Sequence, residues 1–245
     1  MIEVSSPSPH ITVIRINRPE RRNAFNLAGF RALAEAWRTV ARANDVRAVV
    51  ITGERDFSSG ADLRDFPADV AEAVRRGEDP ERVWGDVHHA VLRDVVLPVP
   101  VIAAIEGLCL GGGMELVGAT DIRIAGASAS FALPEVRHGY IPSGGSIARL
   151  PRQIGYAAAM QVMLTGARFG AEQMRAYGFV SEVVPDGTSL ARALEIAEQI
   201  AQNAPAAVAA VKRAVGEGIR GTLADAYAVE ARVADEVLAD QRGDG

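Results

Sequence analysis

Apolar positions along the chain repeat with two different periods. From Leu27 to Ala43, Phe30, Leu33, Trp37, Val40 and Ala41 fall on one helical face, and Asn26 stands where a helix cap belongs. The spacing therefore predicts an amphipathic helix over 27–43. By contrast, Ile11–Asn17, Val46–Thr52 and Val101–Ile105 are short runs rich in β-branched residues, closed by Arg18-Pro19, Gly53 and Glu106-Gly107. These read as strands, the latter two buried on both faces. Val83–Val96 reads as a helix broken by Leu97-Pro98-Val99-Pro100. The polar segment after Leu63 has no clear period, and Gly77–Pro80 is expected to be its mobile part.

Further along, the turn Gly107–Gly113 precedes a short helical stretch, Met114–Ala119, and Asp121–Ala125 and Ser130–Ala132 read as short strands. Gly144–Leu150, Gly155–Leu164 and Ala171–Tyr177 read as helices, the last closed by Gly178, and Phe179–Val184 as a final strand. After Gly187 every element is helical: Ser189–Gln202, Ala206–Gly216 and Leu223–Ala239. The expected organisation is an α/β core over 1–187 followed by a helical region over 188–245. No repeat or low-complexity linker divides it.

Composition narrows the function. With 26 basic and 31 acidic residues the net charge is −5, unfavourable for general nucleic-acid binding. Cys109 is the one cysteine, so no internal disulfide can form, and a reducing cytoplasm is expected. The first eight residues carry no basic stretch followed by an apolar run, so no secretory leader is expected. Val99–Leu110, the most apolar stretch, is too short and too interrupted to cross a membrane. Lys212 is the only lysine, so phosphate contacts fall to arginine, Lys212 or backbone amides.

The most informative segment is Gly107-Leu108-Cys109-Leu110-Gly111-Gly112-Gly113-Met114-Glu115, a glycine-rich turn between a strand and a helix. Amides at such a helix start can face an anion or an oxyanion. A phosphate-binding loop needs Lys-Ser/Thr after the glycines, whereas Met114-Glu115 stands there. A dinucleotide fingerprint needs glycine at 116, where Leu116 stands. Glu115 would repel phosphate but suits proton transfer. Ser58-Ser59-Gly60-Ala61-Asp62 is a second small-residue loop after a strand. Glu135, in Phe131-Ala132-Leu133-Pro134-Glu135, is a second carboxylate set in apolar surroundings. His10, His88, His89 and His138 show no metal-ligand spacing, and no serine-hydrolase motif occurs. Cys109 reads as a small core residue.

Together these segments resemble the enoyl-CoA hydratase/isomerase (crotonase) superfamily. The similarity is carried in order by Asn17-Arg18-Pro19 with Arg22-Asn23-Ala24, by Phe57–Leu63, Gly107–Leu116, Asp121–Ala125 and Phe131–Leu150. The resemblance implies an α/β fold, a crotonase-like ββα spiral core with a C-terminal helical trimerisation region, and an acyl-CoA thioester as substrate. It implies that the amides of Ala61 and Gly112 form an oxyanion hole and that Glu115 and Glu135 are the catalytic carboxylates. Arg22, Ala24, Asp62 and Leu63 fall where the family holds the CoA nucleotide, and Gly60, Gly111, Pro134 and Ser143 complete the implied substrate contacts. Arg64 stands where lysine is frequent, and Lys212 lies near a frequent C-terminal basic site.

No separate cofactor and no metal are implied, since coenzyme A is part of the substrate. The implied assembly is a homotrimer or a dimer of trimers, with no nucleic-acid or membrane partner. The implied reaction is hydration of a 2-enoyl-CoA to the 3-hydroxyacyl-CoA. Double-bond isomerisation, another acyl-CoA reaction on the same site, or non-catalytic thioester binding are the alternatives. Ser143 replaces a glycine common in hydratases and also the aspartate of dienoyl isomerases. The next residues are Gly144-Gly145-Ser146 rather than Ala-Gly-Gly, and His138 and Tyr140 are bulky for that loop.

Overall fold

A computed structural model describes residues 1–243. Asn26 acts as its position predicts: Oδ1 accepts from the Gly29 amide at 2.9 Å, opening helix α1 (Leu27–Arg42). The Nε1–H of Trp37, fully buried on the inner face of α1, donates to the Ala90 carbonyl at 2.9 Å. That bond ties α1 to α3 (Pro80–Ala90).

The main sheet has six strands. In spatial order they are β1 (Ile2–Ser8), β2 (Ile11–Ile16), β3 (Ala48–Thr52), β4 (Val101–Ile105), β6 (Ile122–Gly126) and β9 (Glu182–Val184). β1 is antiparallel to β2; the others are parallel. Side chains alternate across the pleat, so each face has its own core. Ile14, Ile16, Val49, Ile51, Ala103 and Ile105 join the cluster under α1 and α3. Ile11, Val13, Ala48, Val50, Ile102, Ala104 and Ile124 pack with Ala193 and Ala197 of α8 (Ser189–Ala201). The boundary expected at 187/188 thus falls between β9 and the helix that covers the second face of the sheet. A smaller sheet holds β5 (Leu108–Leu110), β7 (Ser130–Ala132) and β8 (Phe169–Gly170).

The remaining helices are α2 (Asp65–Arg75), α4 (Gly112–Val117), α5 (Ser146–Gln153), α6 (Tyr156–Thr165), α7 (Ala171–Ala176), α9 (Pro205–Gly218) and α10 (Leu223–Arg242). Arg123 secures the C-terminal end of α4. Its guanidinium donates to the carbonyls of Gly118, Thr120 and Phe179 and lies 4.5 Å from the Phe179 ring centre. Burial pulls its pKa down to about 10. The α9–α10 pair exposes Val211, Val215, Ile219, Leu223 and Tyr227, each at least 62% exposed. Lys212 anchors α9 to the core, donating to Asp121 at 2.7 Å and to the Val99 carbonyl at 2.8 Å.

Several elements differ from the sequence expectation for identifiable reasons. β1 is largely exposed and serine-rich, so no hydrophobic alternation marks it. The polar stretch after Leu63 forms α2, with Ala73 as its one fully buried side chain. α3 begins at Pro80, capped by Asp79 onto the Glu81 amide at 2.9 Å, and ends at Ala90 rather than Val96. Gly77–Pro80 is not a loose loop: the Gly77 and Glu78 amides bond back to Val74 and Ala73, and Glu78 pairs with Arg31. β9 is shorter than Phe179–Val184, because the Phe179 and Val180 amides turn back to the Met174 carbonyl. Cys109 is fully buried, as a small core residue, with burial holding its thiol protonated.

Candidate active site

Two loops leave the sheet side by side and are stitched together by their backbones. Phe57 donates to Glu106, Ser58 donates to Leu108, and Leu110 donates to Ser58, all at 2.8–2.9 Å. This pairing runs β5 alongside residues 57–58, inside what reads in sequence as a plain glycine turn. Gly60 then adopts φ +90, and a Cβ there would lie 2.8 Å from the Leu110 carbonyl and 3.2 Å from the Gly112 nitrogen. Only glycine permits that approach. A Cβ on Gly112 would in turn lie 3.9 Å from the Ala61 nitrogen.

The result is two neighbouring amides without acceptors. Gly112 is the first residue of α4 and has no acceptor within its own helix. Around Ala61 the bonds pass from Phe25 to Gly60 and from Asp62 to Phe25, so the Ala61 N–H takes no part. Among the described residues neither amide donates to the protein. Such a pair suits an oxygen that gains negative charge during reaction.

The Ala61 loop is braced by a residue that sequence patterning treated only as a strand end. Arg18 donates to Asp62 and Asp65, each at 2.8 Å, and to the Ala24 carbonyl at 3.1 Å. Asp62 also accepts from the Arg64 and Asp65 amides. Burial pushes its carboxyl up, but those amides and Arg18 hold it below the usual carboxylate range. Both oxygens of Asp62 therefore brace the loop. Asn23, buried at φ +57, adds a second brace by accepting from the Arg18 amide and donating to the Asp56 carbonyl. Arg22 and Arg64 are exposed and unpaired among the described residues, Ala24 is buried and Leu63 is exposed.

Glu115 follows Gly112 by three residues and is only 7% exposed. Its Oε1 lies 3.5 Å from the Ser146 amide, and its Oε2 lies 2.5 Å from where a Cβ on Gly144 would sit. Burial raises its pKa against the pull of the Ser146 and Gly144 amides and of Arg149. Glu135 arrives from the other side. Gly111 donates to Ala132 at the end of β7, and Pro134 opens a single 3-10 turn, Pro134–His138. Glu135 Oε1 lies 3.1 Å from where a Cβ on Gly111 would sit, while Oε2 is buried without a partner. Burial, aided by the charge of Glu115, pushes its carboxyl up to about 7.

The chain thus brings Ala61, Gly112, Glu115 and Glu135 together, with Gly60, Gly111 and Pro134 forming the backbone between them. Ser143, His138 and Tyr140 are exposed on the loop beyond Glu135. Lys212 is engaged with Asp121 and the Val99 carbonyl and makes no bond to this cluster among the described residues. Among the described residues no group of three His, Cys, Asp or Glu side chains is placed to hold a metal ion.

Paired free amides beside one buried and one half-buried carboxylate suit proton transfer next to a polarised carbonyl. The family model described as enoyl-CoA hydratase/isomerase matches residues 7–243, and the chain belongs to that family. It is 35% identical to enoyl-CoA hydratase EchA19 of Mycobacterium tuberculosis, over 96% of this chain and 88% of that one. It is also 35% identical to the mitochondrial Delta(3,5)-Delta(2,4)-dienoyl-CoA isomerase of Rattus norvegicus, over 84% of this chain and 66% of that one. A solved enoyl-CoA hydratase from Bacillus anthracis superposes with a TM-score of 0.84 at 36% identity, covering 97% of this chain and 90% of that one. The crotonase fold expected from the sequence is thus the fold observed.

The carboxyl of Glu135 has a thermodynamic signature. Below pH 4.5 the folded and unfolded chains both hold its proton. Between 4.5 and about 7 the unfolded chain releases it and the folded chain keeps it, so stability falls as pH rises through that window. Glu135→Gln removes this loss. Its unfolding free energy should match wild type near pH 4 and exceed it at pH 8 by up to about 3 kcal/mol. Denaturant titrations at the two pH values check this; equal differences at both would contradict it.

Proposed function

We propose that this protein is a 2-enoyl-CoA hydratase. The observation that carries the reading is the juxtaposition of the unengaged Ala61 and Gly112 amides with two carboxylates on separate elements, Glu115 buried and Glu135 half-buried. Adding water across the 2,3 double bond puts hydroxyl on C3 and a proton on C2, and negative charge gathers on the thioester oxygen as the bond polarises. Two preorganised amides stabilise that charge; losing one such donor costs about 3–4 kcal/mol in other enzymes. Burial and mutual repulsion favour one proton shared by Glu115 and Glu135, so that one can accept from water while the other delivers to C2. The same pair could move a double bond. Ser143 in place of an acid speaks against the dienoyl branch of that chemistry.

In this reading the CoA nucleotide meets Arg22 and Arg64, with Ala24 and Leu63 beside them. The α9–α10 face is buried between copies in a homotrimer or dimer of trimers. Among the described residues no helix is long and apolar enough to cross a membrane. The single cysteine fits a reducing cytoplasm, where we place the enzyme.

Crotonyl-CoA offered to the purified protein should lose its conjugated-thioester absorbance and give 3-hydroxybutyryl-CoA. A shifted double bond would replace this reading with isomerisation, and no turnover would leave a thioester binder. Glu115→Gln and Glu135→Gln should each lower kcat by at least about 10²-fold with substrate binding retained. Full activity in either variant rules out the paired mechanism. Replacing Arg22 and Arg64 together with alanine should raise KM and leave kcat nearly unchanged, because the contact is the same in ground and transition states. An unchanged KM removes both from the CoA site. Sedimentation at micromolar concentration should show three or six copies, and a stable monomer refutes the assembly.

A further inference from the structure

The two carboxylates are unequal, and the difference lies behind Glu115. Arg149, on α5, folds back beneath the turn Gly144-Gly145-Ser146. Its Nη2 donates to the Leu92 carbonyl and, at 2.9 Å, to that of Arg93. Its Nη1 is buried without an acceptor and lies 2.5 Å from where a Cβ on Gly145 would sit. Gly145, at φ +117, is glycine both for its backbone and for the space the guanidinium occupies. The same turn holds Glu115 on Gly144 and the Ser146 amide. One short segment therefore rests on Arg149 and touches Glu115.

Charges around the pair follow this layout. Burial pushes the Glu115 carboxyl up; the Ser146 and Gly144 amides oppose it, and after them the charge of Arg149. Burial pulls the Arg149 pKa down; Glu115 and then Asp94 oppose this, and Arg93, from the same segment after α3 as Asp94, adds to it. Glu135 has no cation among its influences; its charged neighbour is Glu115. One carboxylate has a half-buried guanidinium and two amides behind it, the other an unpartnered oxygen.

We propose that Arg149 is a positioning residue that breaks the symmetry of the pair: it supports the Gly144–Ser146 turn against Glu115 and, by its charge, keeps Glu115 the ionised member while the shared proton stays on Glu135. The guanidinium reaches no reacting atom; it acts through Glu115. The inference rests on reading Glu115 and Glu135 as the reacting pair.

The test uses Arg149→Gln and Arg149→Lys in the full chain, with two readouts. The first is the pH titration of the glutamate carboxyls in ligand-free protein by infrared difference spectroscopy, with Glu115→Gln and Glu135→Gln assigning the bands. Arg149→Gln should move the Glu115 ionisation to higher pH, and Arg149→Lys should leave it near wild type. The second is kcat for crotonyl-CoA hydration against pH. Arg149→Gln should lose more activity on the acid side of the profile than at pH 9, by up to about tenfold for a one-unit shift in the group that must be ionised. A merely structural residue would lower activity evenly across pH. An unmoved Glu115 band, an even loss, or a lysine variant no better than glutamine overturns the proposal. If the glutamine variant does not fold, the lysine variant decides: a shifted band or acid limb despite its retained charge overturns the proposal, and unshifted ones support it. If wild type hydrates nothing, the hydratase reading fails while the ligand-free titration still decides the role of Arg149.

Discussion

The Ala61 and Gly112 amides face one space because Gly60 lets two backbones meet where any side chain would strike the Leu110 carbonyl at 2.8 Å. Everything else in the site is arranged around that contact. The ladder between residues 57–58 and β5 sets the depth at which the loops cross, and Gly113 sits where a Cβ would lie 2.8 Å from that of Ser58. Arg18, Asp62 and Asp65 then fix the outgoing chain, so that the amide just before Asp62 cannot swing away. A neutral brace would serve less well here, because charge-assisted bonds are shorter and stronger than neutral ones.

Placing Glu115 three residues after Gly112 couples the carboxylate to the amide pair through rigid helix backbone, and Arg123 holds the far end of that helix by its carbonyls. Glu135 enters from β7, whose pairing with β5 positions it. The second, three-stranded sheet is therefore a positioning device: it brings together residues from separate parts of the chain. Desolvation then disfavours both carboxylates being charged at once, a penalty a solvated pair would not carry.

Much of this was readable from the residues. Asn26 and the α1 stripe, the apolar runs of β3 and β4, and the glycine turn before Glu115 all carry local signals strong enough to survive without tertiary context. The elements that were not readable lack such signals. β1 forms because β2 offers it an edge, and α2 is polar around most of its surface. β5 is three residues long and exists because residues 57–58 pair with it. Among the site residues, Glu115 and Glu135 stand out as acids in apolar or glycine-rich settings. Arg18 and Arg149 do not, because a chain with 25 arginines gives no reason to single out two. Their importance lies in which carbonyls and carboxylates they meet, and those partners are distant in sequence.

The near-absence of lysine has a consequence for a protein in this family. Thioesters of coenzyme A acylate free amines spontaneously, and an enzyme that concentrates them is the first protein they encounter. Here the only side-chain amine is Lys212. Its ammonium is held between the Asp121 carboxylate and the Val99 carbonyl, with the side chain 16% exposed. Guanidinium groups stay protonated and do not compete as nucleophiles. The chain thus offers almost no side-chain amine for a thioester to acylate. An arginine-for-lysine bias leaves the chain with one side-chain amine, and that one held in an ion pair.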